Sequence, residues 1–140
     1  MQVEIWSDIN CPFCYLGVNQ FLVGLGDFDH ADDIEVIHRS FELDPSQPRG
    51  ASGDVVAHLA EKYGYTHEQA SQGELQIAEM AQGFDLPYVT SNRDFGDSFD
   101  MHRLVHFAAE SGRAEDLLLA FFHANFGDER RLFGDRERWV

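Results

Sequence analysis

The sequence predicts an α/β fold in which residues 1–50 form a strand–helix–strand unit and residues 51–140 form a run of helices. Three observations carry this prediction. Two stretches rich in β-branched residues, Val3–Trp6 and Ile34–Phe41, flank a segment whose apolar residues recur at helical spacing. Beyond Pro48 the pattern stays helical, punctuated by glycines and capping residues. Both cysteines of the chain lie at the junction of the first strand and the first helix.

The elements follow in order. Val3-Glu4-Ile5-Trp6 alternates and reads as a strand, and Ser7-Asp8-Ile9-Asn10 is a polar turn with cap residues. Pro12 suits a first helical turn, where its missing N–H is not needed. Tyr15, Leu16, Val18, Phe21, Leu22 and Leu25 then keep helical spacing until Gly24 and Gly26 end the helix. The second strand, Ile34–Phe41, is expected to lie parallel to the first through a right-handed crossover. Glu42–Pro45 and Gln47–Gly50 make a turn-rich loop.

Ser52 is expected to cap a helix running through Val55, Leu59 and Tyr63 to a stop at Gly64. Thr66 and Gln69 form a capping-box pattern for a helix reaching about Gln82. A loop covers residues 83–96. Ser98 is expected to cap a helix bearing Met101, Leu104, Val105 and Ala108, ending at Gly112. A last helix carries Leu117, Leu118, Phe121 and Phe122, which with Phe126 read as core.

Composition narrows the function. Ten basic residues against twenty-five acidic ones give a net charge of −15, and Lys62 is the sole lysine. Such a surface repels phosphate backbones and anionic lipid, so neither nucleic acid nor membrane is expected as a partner. No apolar run approaches the ~20 residues of a membrane helix, and Met1-Gln2-Val3-Glu4 shows no secretory signal; the expected location is cytoplasmic.

Cys11-Pro12-Phe13-Cys14 reads physically as a redox dithiol at a helix N-terminus. Unpaired backbone N–H groups and the helix dipole stabilise a thiolate there. Cys11, at the helix mouth, is placed to attack a disulfide, and Cys14, one turn further in, to resolve the mixed disulfide. Pro12 and Phe13 tune the motif, with Pro12 fixing the entry geometry. The dithiol reading calls for no cofactor and no metal. The rival reading is a zinc half-site, which would draw two further ligands from the seven histidines.

The segment Trp6-Ser7-Asp8-Ile9-Asn10-Cys11-Pro12-Phe13-Cys14-Tyr15-Leu16-Gly17 resembles the opening of the DsbA family of thioredoxin-fold disulfide oxidoreductases, and its FrnE-like branch most of all. His38-Arg39-Ser40-Phe41-Glu42-Leu43-Asp44-Pro45 and Asp97-Ser98-Phe99-Asp100-Met101-His102-Arg103-Leu104 are similar to that branch as well. The resemblance implies a thioredoxin-like βαβ segment over 1–50, a DsbA-type helical insertion over 51–140, catalysis by Cys11 and Cys14, and disulfide-containing proteins or small molecules as substrates. It also implies a cis-proline loop and further strands. None of Pro12, Pro45, Pro48 and Pro87 sits in such a context, so the final strands of the thioredoxin sheet are expected to be absent from this chain. Two strands alone make a marginal sheet. The open edge is therefore expected to meet a continuation of the polypeptide or a second copy in a homo-oligomer.

Two rival functions remain at this point. Glutathione-dependent transferases and isomerases of the kappa and 2-hydroxychromene-2-carboxylate type share the architecture, but usually carry Ser where Cys11 stands. A non-catalytic binding module is the other. Elsewhere, His102 and His106 read as a solvated helix face, His38 as a core-edge residue, and Asp27, Asp29, Asp32 and Asp33 as a solvated acidic loop.

Overall fold

The computed structural model describes Met1–Trp139. Strand β1 (Gln2–Ser7) and strand β2 (Glu35–Ser40) pair in parallel, Gln2 opposite Glu35 and Ser7 opposite Ser40, with helix α1 (Pro12–Gly26) as the crossover. The two-residue period of β1 turns Val3 and Ile5 inward and leaves Gln2, Glu4 and Trp6 outside. On that outer face Glu4 binds Arg39 of β2 at 2.9 Å from Nε.

The helical run matches the expected spacing, with two corrections. Residues after 50 are not all helical: strand β3 (Ser52–Asp54) pairs antiparallel with strand β4 (Asp94–Gly96). Strands of three residues, reading Ser-Gly-Asp and Asp-Phe-Gly, have no period to detect and form only because the chain brings them together. Accordingly the cap of helix α2 (Val55–Tyr63) is Asp54, whose Oδ1 accepts from the Ala57 N–H at 2.9 Å, and not Ser52, which is in the strand.

Gly64 ends α2 in the left-handed region at φ 68°. Thr66 and Gln69 form the expected reciprocal capping box, at 2.9 and 3.1 Å, opening helix α3 (His67–Gln82). Helix α4 (Phe99–Ala109) and helix α5 (Ala114–Phe126) complete the set. Ser98 stands at the N-cap of α4 but accepts no cap bond; its hydroxyl instead donates to Asp8.

The core lies where α1 meets α4 and α5. Tyr15, Leu16 and Val18 pack against Met101, Val105, Leu118, Phe122 and Phe126, and Leu132 and Phe133 close it from the C-terminal side. Tyr15 stacks on Phe126 with ring centres 5.0 Å apart, and its hydroxyl donates to Pro87 O at 2.9 Å. Leu132 and Phe133 are held by Asp94, a buried carboxylate that accepts from the N–H groups of Leu132, Phe133 and Gly134 at 2.7, 3.2 and 2.7 Å. Gly96 lies so close to its neighbours that a Cβ there would stand 2.4 Å from Ala51 O and 2.6 Å from Phe133 Cβ.

A second buried anchor links α3 to α5. Arg93 pairs with Glu74, donates from Nε to Asn125 O at 3.2 Å, and lies 4.6 Å over the Phe126 ring. Each charge is almost wholly inside the protein, so neither can lose its partner cheaply.

Candidate active site

β1 ends at Ser7 and the chain enters α1 through Asp8, Ile9 and Asn10, all three buried. This short loop is fixed from several sides. Asn10 donates from Nδ2 to Gly96 O at 2.7 Å and accepts from the Gly96 N–H at 3.3 Å, so it pairs with β4 as a backbone would. Asn125 of α5 donates to Ile9 O at 2.8 Å. The Asp8 carboxylate accepts from the Ser98 hydroxyl at 2.8 Å, from His102 Nε2 at 3.2 Å and from the Leu43 N–H at 2.7 Å.

The loop delivers Cys11 to the N-cap of α1 and Pro12 to its first turn. Cys11 Sγ accepts from the Cys14 N–H at 3.3 Å, in the position a serine or aspartate oxygen usually takes. Both cysteines are half-buried and free, while Phe13 between them is 60% exposed.

The two thiols are driven apart. A hydrogen bond from the Cys14 thiol, the largest influence, outweighs burial and joins the Cys14 and Phe13 N–H groups in bringing Cys11 down from 9.0 to about 7; the Asp8 charge opposes this. The same hydrogen bond and burial push Cys14 upward, with the charges of Cys11 and Asp8 adding to the rise. Near neutral pH Cys11, at the helix mouth, is thus partly thiolate, while Cys14, one turn inside, stays a thiol. Burial alone would raise the Asp8 carboxyl, but hydrogen bonds from His102, Leu43 and Ser98 outweigh it and hold the group below 3.8.

A cavity of about 470 Å³ opens beside Cys11, Pro12 and Phe13, roofed by α2 and α3. Val55, Leu59, Ile77 and Phe95 give it a largely apolar wall, and Arg93 and Glu74 are part of its lining.

The four residues singled out in the motif thus stand together at one helix mouth. Among the described residues no group of three or more His, Cys, Asp or Glu gathers in a metal-binding arrangement. His102 is a correction: it is buried against Asp8 and not on a solvated face, whereas His106 is exposed and bonds the Ser40 hydroxyl at 2.8 Å. His38 does find a partner, Glu115, at 3.3 Å. Sequence reasoning saw Asp8 and Asn10 only as turn residues. Their distant partners lie between 35 and 94 positions downstream, and no local pattern marks them.

The comparisons agree with this geometry. The sequence model of the DsbA-like thioredoxin domain matches residues 2–138. The crystal structure of a probable DsbA oxidoreductase from Streptomyces coelicolor is 50% identical and superposes with a TM-score of 0.92 over 99% of this chain. This chain spans 59% of the length of that protein. No curated protein matches. Among the described residues no helix is long and apolar enough to cross a membrane. The fold, the cysteine pair at the first helix and the match over residues 2–138 together establish that the chain belongs to the DsbA-like thioredoxin domain family.

Proposed function

We propose that the chain is a thiol–disulfide oxidoreductase of the FrnE-like branch, working through Cys11 and Cys14 on disulfide-containing proteins or small molecules, with no cofactor. Residues 1–50 carry the dithiol and residues 51–140 supply the helical roof over it. The Cys11 thiolate attacks one sulfur of a substrate disulfide. A Cys11–substrate disulfide forms, and the other substrate sulfur leaves as a thiolate. Cys14 then loses its proton and attacks Cys11 Sγ. The Cys11–Cys14 disulfide forms, the second substrate thiolate leaves, and two electrons have passed to the substrate. Run in reverse, the same steps oxidise a substrate dithiol.

The observation that carries this reading is the helix mouth itself, where Cys11 at the N-cap receives the Cys14 N–H on its Sγ at 3.3 Å and Cys14 stands one turn inside. Such an N–H favours the thiolate of the reduced pair, and stabilising the reduced form makes the disulfide form the stronger oxidant.

Trapping tests the reading. The Cys14→Ser variant is expected to accumulate mixed disulfides with substrate through Cys11, and Cys11→Ser to exchange nothing. A wild-type chain that exchanges no disulfide, together with a Cys14→Ser variant that forms no covalent adduct, refutes it. Zinc bound in equal amount to the chain, and lost from both variants, would move the site to the metal reading.

A further inference from the structure

The wall of the cavity beside Cys11 contains a residue that helix energetics does not account for. Gly73 lies in the middle of α3, where glycine is among the least favourable residues. No left-handed turn requires it, and a Cβ there would meet no atom within 4 Å. The absent side chain leaves room for something outside the chain.

The buried ion pair in the same lining shows what that room is suited to. Arg93 bonds through Nε and Nη1, and Glu74 through Oε2; among the described residues Nη2 and Oε1 have no hydrogen-bond partner. Both side chains are more than nine-tenths buried, at 2% and 3% exposure. One donor and one acceptor of this pair are therefore left without a protein partner, on residues that line a largely apolar chamber. On its other side the pair is already satisfied by a phenol: Tyr88 donates its hydroxyl hydrogen to Glu74 Oε2 at 3.1 Å and accepts from Arg93 Nη1 at 2.9 Å.

We infer that the chamber is the recognition subsite of the dithiol and takes a phenol, the side chain of a tyrosine in the segment next to the substrate disulfide. A second phenol hydroxyl repeats on Oε1 and Nη2 what Tyr88 does on Oε2 and Nη1, while its ring lies against the apolar wall. Other end groups fit less well. A carboxylate meets Glu74 and a chain of net charge −15, an ammonium meets Arg93, and a plain phenyl ring buries both polar atoms unmet. At about 470 Å³ the chamber exceeds one aromatic ring and admits the residues flanking it.

This inference rests on the dithiol reading, and its test separates the two. N-acetyltyrosinamide and N-acetylphenylalaninamide are titrated into the Cys11→Ser/Cys14→Ser double variant, which can bind but not exchange. In parallel, exchange rates are measured for mixed-disulfide peptides bearing Tyr, Phe or Ala beside the cysteine, with wild type and with Gly73→Leu. That substitution fills open space on a helix and favours the helical state, so the variant folds, which circular dichroism verifies.

The tyrosine probe and the tyrosine peptide are expected to exceed their phenylalanine counterparts by about tenfold, the worth of one hydrogen-bonded hydroxyl. In Gly73→Leu the three peptides should converge. Equal rates in wild type and no binding of the phenol overturn the subsite and leave the dithiol standing. Binding of the phenol with no exchange of any peptide overturns the dithiol and leaves the subsite. Binding of the free phenol without a peptide preference assigns the chamber to small phenols and overturns the peptide segment as its occupant.

Discussion

The ionisation of Cys11 gives the most direct quantitative test of the site. With a midpoint at about 7, half of Cys11 is thiolate at pH 7, against about 1% for a thiol left at 9.0, a gain of about fiftyfold. A more acidic thiolate is a weaker nucleophile, by roughly 0.4–0.5 logarithmic units per unit of pKa, so two units cost about eightfold. Cys11 should therefore react with iodoacetamide about sixfold faster than an ordinary protein thiol at pH 7. Above pH 9, where both are ionised, it should react more slowly. Alkylation with limiting reagent from pH 5 to 10, read by peptide mass spectrometry, gives the profile of each cysteine. Cys11 should follow a sigmoid centred at about 7, with Cys14 labelled only at high pH. A Cys11 midpoint near 9, or labelling of Cys14 first, refutes the account of the helix mouth.

Other consequences concern the residues that frame the site. Asp8→Asn removes a charge that raises both thiols, so the Cys11 midpoint should fall below that of the wild type in the same alkylation series. The Asp8 carboxyl sits below 3.8 in the folded state, so its contribution to stability is full above pH 3.8 and is lost as pH falls through the folded value. Acid unfolding followed by circular dichroism should accordingly be less steep in Asp8→Asn. Asp94→Ala strands three backbone N–H groups at Leu132, Phe133 and Gly134. At ~1–3 kcal/mol each the loss should be at least about 3 kcal/mol in urea unfolding, and Asp94→Asn should lose less. Gly96→Ala drives a methyl group to within 2.4 Å of Ala51 O, and should cost about 1–3 kcal/mol by the same assay through disruption of the β3–β4 pair.

What the sequence makes legible, and what it hides, follows from the range of the forces involved. The β1–α1–β2 unit rests on period, proline and glycine, all local, and the structure returns it within two residues of expectation. Thr66 with Gln69 and Gly64 mark helix ends by contacts three or four residues long, and these too were visible. The cysteine pair was visible for the same reason. The β3–β4 pair was not, since Ser-Gly-Asp has little strand propensity and is recruited by a partner 44 positions from it, Ser52 facing Gly96. Serine favours the cap position of α4, yet the Ser98 side chain makes a charge-assisted bond to the buried Asp8 carboxylate, 90 positions away, and accepts no cap bond. His102 and Asp8, separated by 94 positions, show that the polar support of the loop before Cys11 comes in large part from tertiary contacts.

That support has a consequence in time. The loop that presents Cys11 is held by Gly96, Ser98, His102 and Asn125, and only Leu43 among its cross-chain partners comes early. At ~5–20 residues per second, roughly 5–20 seconds separate the synthesis of the cysteines from that of their last anchor. Throughout that interval Leu43 alone of these partners is present to hold the loop, through Asp8. The N–H groups of Phe13 and Cys14 that favour the Cys11 thiolate are local, but the loop that aims the helix mouth gains its full set of anchors only with α5. A chain arrested before Asn125 should therefore show faster amide exchange at Ile9 and Asn10 than the finished one.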